Sequence, residues 1–136
     1  PARINVGSIG YNENLGRVVG DHNQAHHLIP EEIWKGNQSM FDQVGMNMDE
    51  AKNGILLPDN EALRQTSGAG VYHYGSHPQY SAMVSNNVDA IRANHIPGVN
   101  DAQIKSELET LQHNLRSNLQ AGTVPLSPHA VGCKLG

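Results

Sequence analysis

The chain has 136 residues, 38% of them apolar and only 4% aromatic, with a single cysteine and a formal net charge of −4. That length fits one domain of about 100 to 150 residues with a modest core, and the lone Cys133 excludes an internal disulfide and any Cys-rich zinc site. The negative balance and the scatter of the nine basic residues argue against a broad phosphate-binding surface of clustered Lys and Arg, and no stretch approaches the roughly 18 consecutive apolar residues that span a bilayer.

The chain opens at Pro1-Ala2-Arg3 without an initiator Met, which reads as a piece excised from a longer protein. Residues 1–20 hold Gly7, Gly10, Gly16 and Gly20 with little periodicity, so a loosely structured opening segment is expected, with room for one short strand. Pro30-Glu31-Glu32 places a proline near a helix start and two acids in its first turn, where they suit the dipole. A short helix through Trp34 and Lys35 follows, closed by Gly36, and Met40-Phe41 begins an apolar patch that packs on Trp34. Asn53-Gly54-Ile55-Leu56-Leu57-Pro58 is a turn signal followed by a short apolar run, the pattern of a buried strand or hairpin arm. Gln65 to Gly70 reads as a loop leading to Val71-Tyr72-His73-Tyr74. After Pro78, the spacing of Tyr80, Val84, Val88 and Ile91 predicts a helix with one apolar face, ending before Pro97. A second helix is predicted from about Asn100 to about Gln120, with Ile104, Leu108, Leu111, Leu115 and Leu119 forming a stripe for the core or an interface. The tail, with Gly122, Pro125, Pro128 and Gly132, lacks periodicity.

Four of the eight histidines fall in two tight groups. His26 and His27 adjoin in Gln24-Ala25-His26-His27-Leu28-Ile29-Pro30, and on an extended backbone their side chains point to opposite faces, which suits different tasks. One ring can hold a metal while the other takes a proton from water, since a neutral imidazole serves either purpose near its unperturbed pKa of about 6.5. His73 and His77 form the second group. Pro78 fits the first position of the following helix, so His77 becomes its cap and sits at the helix mouth, where anionic phosphate is also favoured. His22, His95, His113 and His129 are read as solvent-facing, Trp34 and Phe41 as core, and Tyr80 as a packing residue.

Taken together, Ala25-His26-His27, the stretch Asp49-Glu50-Ala51-Lys52-Asn53-Gly54-Ile55, and His73 with His77 resemble the AHH family of the HNH/endonuclease VII (His-Me finger) nucleases. The likeness runs from about Asp21 to Ile91. It implies an α+β fold: a small β-β-α-metal, treble-clef-like core over residues 21–97, with additional helices and a C-terminal helix and tail over 98–136 packed on it. It also implies a metal-dependent endonuclease that hydrolyses phosphodiester bonds, with DNA favoured over RNA. His26 and His77 are the implied metal ligands and His27 the general base. His73 completes the metal or water-activating shell and is placed with the catalytic residues. Asn53 orients the site through its amide, although an Asn before Gly54 serves equally well as a turn former.

The implied cofactor is one divalent ion from the set zinc, nickel, manganese and magnesium, with imidazole donors suiting zinc and nickel best and magnesium least. The family is similar to toxin modules at the C-terminal end of bacterial polymorphic, contact-dependent and Rhs-type effectors, including those delivered by type VI secretion. That likeness implies a secreted fragment acting in a target-cell cytoplasm, neutralised by a cognate immunity protein. A non-nuclease zinc hydrolase using the same histidines and a catalytically silent binding module are the rival readings. A nucleobase deaminase is set aside, because its His-x-Glu and paired-Cys pattern is missing.

Overall fold

The structure, a computed structural model, describes residues 15–16 and 20–136. The loose opening segment expected over residues 1–20 therefore lies outside the described residues, apart from a turn at 15–16 and residue 20. In chain order the elements are β1 (Asn23–His27), α1 (Glu31–Gly36), α2 (Gln38–Val44), one 3₁₀ turn (Ala51–Asn53), β2 (Gly54–Pro58), α3 (Glu61–Ser67), α4 (Pro78–Arg92) and α5 (Asp101–Ala121). Helices and a small two-stranded sheet make this a mixed α and β architecture, compatible with an α+β nuclease fold.

The two strands pair antiparallel, with His26 opposite Ile55 and His27 opposite Gly54. β2 is apolar along its length and buries both of its faces, as a strand inside a core does. β1 is only partly buried, and of its five residues His26 alone is fully enclosed. The core is completed by helices: Trp34 of α1 stacks on Phe41 of α2 with ring centroids 3.7 Å apart, and α4 contributes Tyr80, Val84 and Val88. The stripe on α5 faces inward, with Ile104, Leu108, Leu115 and Leu119 all buried. This resolves the choice between core and interface in favour of core for these residues. Among the described residues no helix is long and apolar enough to cross a membrane.

Two expectations need correction. The stretch read as a loop from Gln65 begins inside α3, which runs to Ser67 and ends on Gly68 at φ 75°. α3 buries none of its residues, so it carries no apolar period to betray it; its signal is the cap, where the Asn60 Oδ1 accepts from the Leu63 N–H at 2.9 Å. His95, read as solvent-facing, has an imidazole only 6% exposed, with Nε2 2.8 Å from the Asp101 carboxylate. The turn between α4 and α5 folds over it, and Gly98 N–H donates to the same carboxylate.

The aperiodic tail also has a place. Tyr72 N–H donates to the Cys133 carbonyl and Leu135 N–H to the Tyr72 carbonyl, so residues 133–135 run beside 71–73 as a short strap. Leu135 of this strap is buried. These contacts brace the segment that leads into the second histidine group.

Candidate active site

Three separate pieces of chain deliver His26, His73 and His77 to one point. β1 turns His26 inward through its two-residue alternation. His73 is fastened to the end of β2 by its N–H, which donates to the Pro58 carbonyl at 2.9 Å. Gly75, at φ 71°, then reverses the chain in a conformation that suits glycine. His77 caps α4, with Pro78 in its first turn, and its carbonyl accepts the helical bond from Ser81 N–H. The rings meet in a near-equilateral triangle, with centroids 5.1 Å apart for His26 and His73, 5.1 Å for His26 and His77, and 5.0 Å for His73 and His77. One ligand atom of each lies within 4.8 Å of the others.

Neighbouring groups orient these rings. Gln24 precedes His26 by two residues on the same face of β1, and its Oε1 lies 2.8 Å from Nδ1 of His73. An amide oxygen only accepts, so Nδ1 of His73 carries the proton and Nε2 the lone pair. Ser81, one turn after His77, places its hydroxyl 3.1 Å from that ring's Nδ1. Tyr80 lies edge-on to His26 and His77; its buried O–H donates to the Leu28 carbonyl at 2.6 Å, and burial holds its pKa above the ordinary phenol range.

All three imidazoles are held neutral. Burial is the main cause of the lowered pKa of His26, followed by the neighbouring rings of His73, His77 and His27. Burial, then His77 and Lys134, pushes His73 down to about 3. His77 is lowered by burial, partly opposed by its own backbone hydrogen bond and by the Glu32 carboxylate. Neutral nitrogen donors converging from a strand, a braced loop and a helix cap fit a divalent cation, because a histidine must be deprotonated to ligate.

The triad lies in the wall of an open cavity of about 850 Å³, which His27, Glu31, Glu32, Ser76 and Ser85 also border. Both members of the adjacent pair, expected on opposite faces, border this cavity, His27 at the last position of its strand. His27 is not in the triad: its Nε2 lies 2.9 Å from the Asp49 carboxylate. Asn53, expected among the catalytic residues, stands behind the site, fully buried. Its Oδ1 accepts from Ile29 N–H and from the Gln112 side chain, and its Nδ2 donates to the Ile29 and Met48 carbonyls. It holds the chain that follows the His pair.

Gln24, Ser81 and Asp49 were not singled out from sequence. The first two had a signal, the i+2 alternation of a strand and the i+4 spacing of a helix, applied to histidines already in view. Asp49 had none, since its contact with His27 spans 22 residues.

Fold and site together define a small α and β domain carrying a three-histidine cluster able to hold a metal ion. A family model described as a nuclease family of the HNH/ENDO VII superfamily with conserved AHH matches residues 11–115. The chain belongs to this AHH nuclease family, which points to a nuclease, a phosphodiester hydrolase with nucleic acid as its substrate. The match runs past residue 97 into α5, the helix whose Gln112 meets Asn53. No curated protein and no solved structure matches the chain.

Proposed function

We propose that this domain is a metal-dependent endonuclease in which β1, β2 and α4 form a His-Me finger, with His26, His73 and His77 holding one divalent ion and His27 acting as general base. The observation that carries this reading is the convergence of three neutral imidazoles, two buried and one half-buried, beside a fourth on the wall of one cavity. His73 thereby moves from the catalytic group to the ligands, because its ring packs as closely on His26 as that of His77 does. A divalent cation held there supplies positive charge where the scissile phosphate and leaving oxygen accumulate negative charge. An all-imidazole donor set favours zinc or nickel over magnesium.

The protein's own chemistry is then proton transfer and orientation. His27 takes a proton from water as the water oxygen bonds to phosphorus, and the ester P–O bond breaks with its electron pair going to the leaving oxygen. A water nucleophile needs no ribose 2′-hydroxyl, so we propose DNA over RNA as the favoured substrate. The biological role we propose is that of a toxin domain within a larger secreted effector, acting in a target-cell cytoplasm and restrained by an immunity protein. That role is supported by the resemblance to polymorphic toxin modules.

The test is incubation of purified protein with plasmid DNA and with total RNA, with and without chelator, followed by a panel of divalent ions. Cleavage is expected to stop with chelator and to return with zinc or nickel. Metal content and cleavage should fall together in His26→Ala, His73→Ala and His77→Ala, whereas His27→Ala should keep its metal and lose about 10² to 10⁴ in rate. Full activity in chelator, or in all three ligand variants, overturns the reading. Inducible expression in bacteria tests the toxin role: growth arrest with loss of DNA supports it, and normal growth with soluble, active protein removes it.

A further inference from the structure

The contact between His27 and Asp49 selects one nitrogen of the proposed base, and this inference rests on His27 having that role. We infer that Asp49 is the positioning residue of His27: its carboxylate accepts from Nε2–H, fixes the ring's tautomer and rotation, and makes Nδ1 the nitrogen that receives the proton from water. The two atoms are 2.9 Å apart, and the side chains are 20% and 33% exposed, so the pair lies outside the core, with His27 bordering the cavity. A carboxylate can only accept a hydrogen bond, and a neutral imidazole carries one proton. With that proton on Nε2 facing Asp49, the ring's lone pair lies on Nδ1.

The surroundings of Asp49 hold it for this task. Its own N–H donates to Asn47 Oδ1 at 2.9 Å, closing a tight turn. On one side of it the Met48 carbonyl accepts from the Asn53 amide, and on the other the Glu50 carbonyl accepts from Asn53 N–H. The same Asn53 binds the backbone of Leu28 and Ile29 immediately after His27. One buried residue, through its backbone and its amide, thus fixes both ends of the His27 to Asp49 contact, although 22 residues separate them. A partly exposed hydrogen bond of this kind contributes little to stability, so tight fastening on both sides is better explained by a need for ring orientation.

The inference is tested with Asp49→Ala and Asp49→Asn in the zinc-loaded protein acting on plasmid DNA. Asp49→Ala is expected to lower kcat by about 10- to 100-fold, the usual cost of losing such an outer partner, with KM, zinc content and melting temperature unchanged. Asp49→Asn keeps an acceptor oxygen at the same position and is expected to recover most of that loss. In metal-free protein, nitrogen-15 NMR of the His27 ring should show Nε2–H alone in the native chain and in Asp49→Asn, and a mixture of tautomers in Asp49→Ala. A double-mutant cycle separates this idea from the base assignment on which it rests. If Asp49 acts through His27, Asp49→Ala costs nothing further in a His27→Ala background. An equal loss in both backgrounds, or an unchanged tautomer in Asp49→Ala, overturns the inference. Full activity in His27→Ala overturns the base assignment instead, while the NMR result still reports on the contact.

Discussion

Burial takes His26 and His73 out of water and partly shields His77, and each ring is thereby shifted toward the neutral form that a ligand needs. The same burial makes the metal-free protein sensitive to acid. An unfolded histidine binds a proton below about pH 6.5, while His73 in the folded chain resists protonation down to about 3. Between those values the unfolded state binds more protons, so stability is present above pH 6.5 and is lost as pH falls. Each such imidazole contributes a slope of about 1.4 kcal/mol per pH unit within its window. Denaturant unfolding in chelator at a series of pH values should show stability falling from pH 6.5 downward. His73→Gln, which removes one of the titrating rings, should flatten that fall by about one proton. Identical slopes in the native chain and the variant would mean that His73 is not held neutral by its surroundings.

The elements that carry the site differ in how plainly the sequence announces them. β2 and α4 follow from local pattern, an apolar run after Asn53-Gly54 and a four-residue spacing after Pro78, and His77 falls at the α4 cap because Pro78 suits a first helical turn. α3 is invisible to such a reading because nothing on it is buried. The strap of residues 133–135 is equally silent, since its partners lie around Tyr72 and no periodicity links segments so far apart. Asn53 combines both cases: the turn before β2 was legible, but its amide's bonds to Ile29, Met48 and Gln112 were not. Those bonds join the end of β1 to the 3₁₀ turn and to α5, so Asn53→Ala breaks the joint between three elements. A buried donor or acceptor left unsatisfied costs about 1 to 3 kcal/mol, and this variant strips partners from several. A loss of at least about 3 kcal/mol is expected by chemical denaturation, together with weaker metal binding through the displaced His26. A loss under about 1 kcal/mol would show that water or a neighbouring side chain replaces the amide, and that the joint is not rigid.

At the scale of the whole molecule, the formal charge of −4 sets the way nucleic acid is engaged. Among the described residues, the cavity wall contains Glu31 and Glu32 and no lysine or arginine. Elsewhere Lys35 is paired with Glu31, Lys52 with Glu109 and Arg64 with Glu61, while Arg116 donates to the carbonyls of Ala51, Lys52 and Gly54. Lys134, whose charge helps to lower His73 and His77, donates to the Ser76 carbonyl at 2.9 Å. The described surface therefore offers no row of cations to replace the counterions of a duplex. Phosphate attraction falls mainly on the proposed metal, at one or two phosphates. Binding to duplex DNA loses affinity with salt at a logarithmic slope of about −0.9 for each phosphate neutralised. A slope shallower than about −3 is expected for His27→Ala, used as a cleavage-deficient form at saturating zinc, when fluorescence anisotropy of a labelled duplex is followed from low to physiological salt. The ligand variant His26→Ala should lose most of that affinity at every salt concentration. A slope steeper than about −5, with affinity retained in His26→Ala, would locate the nucleic-acid surface away from the histidine cluster and sever the link between binding and the metal.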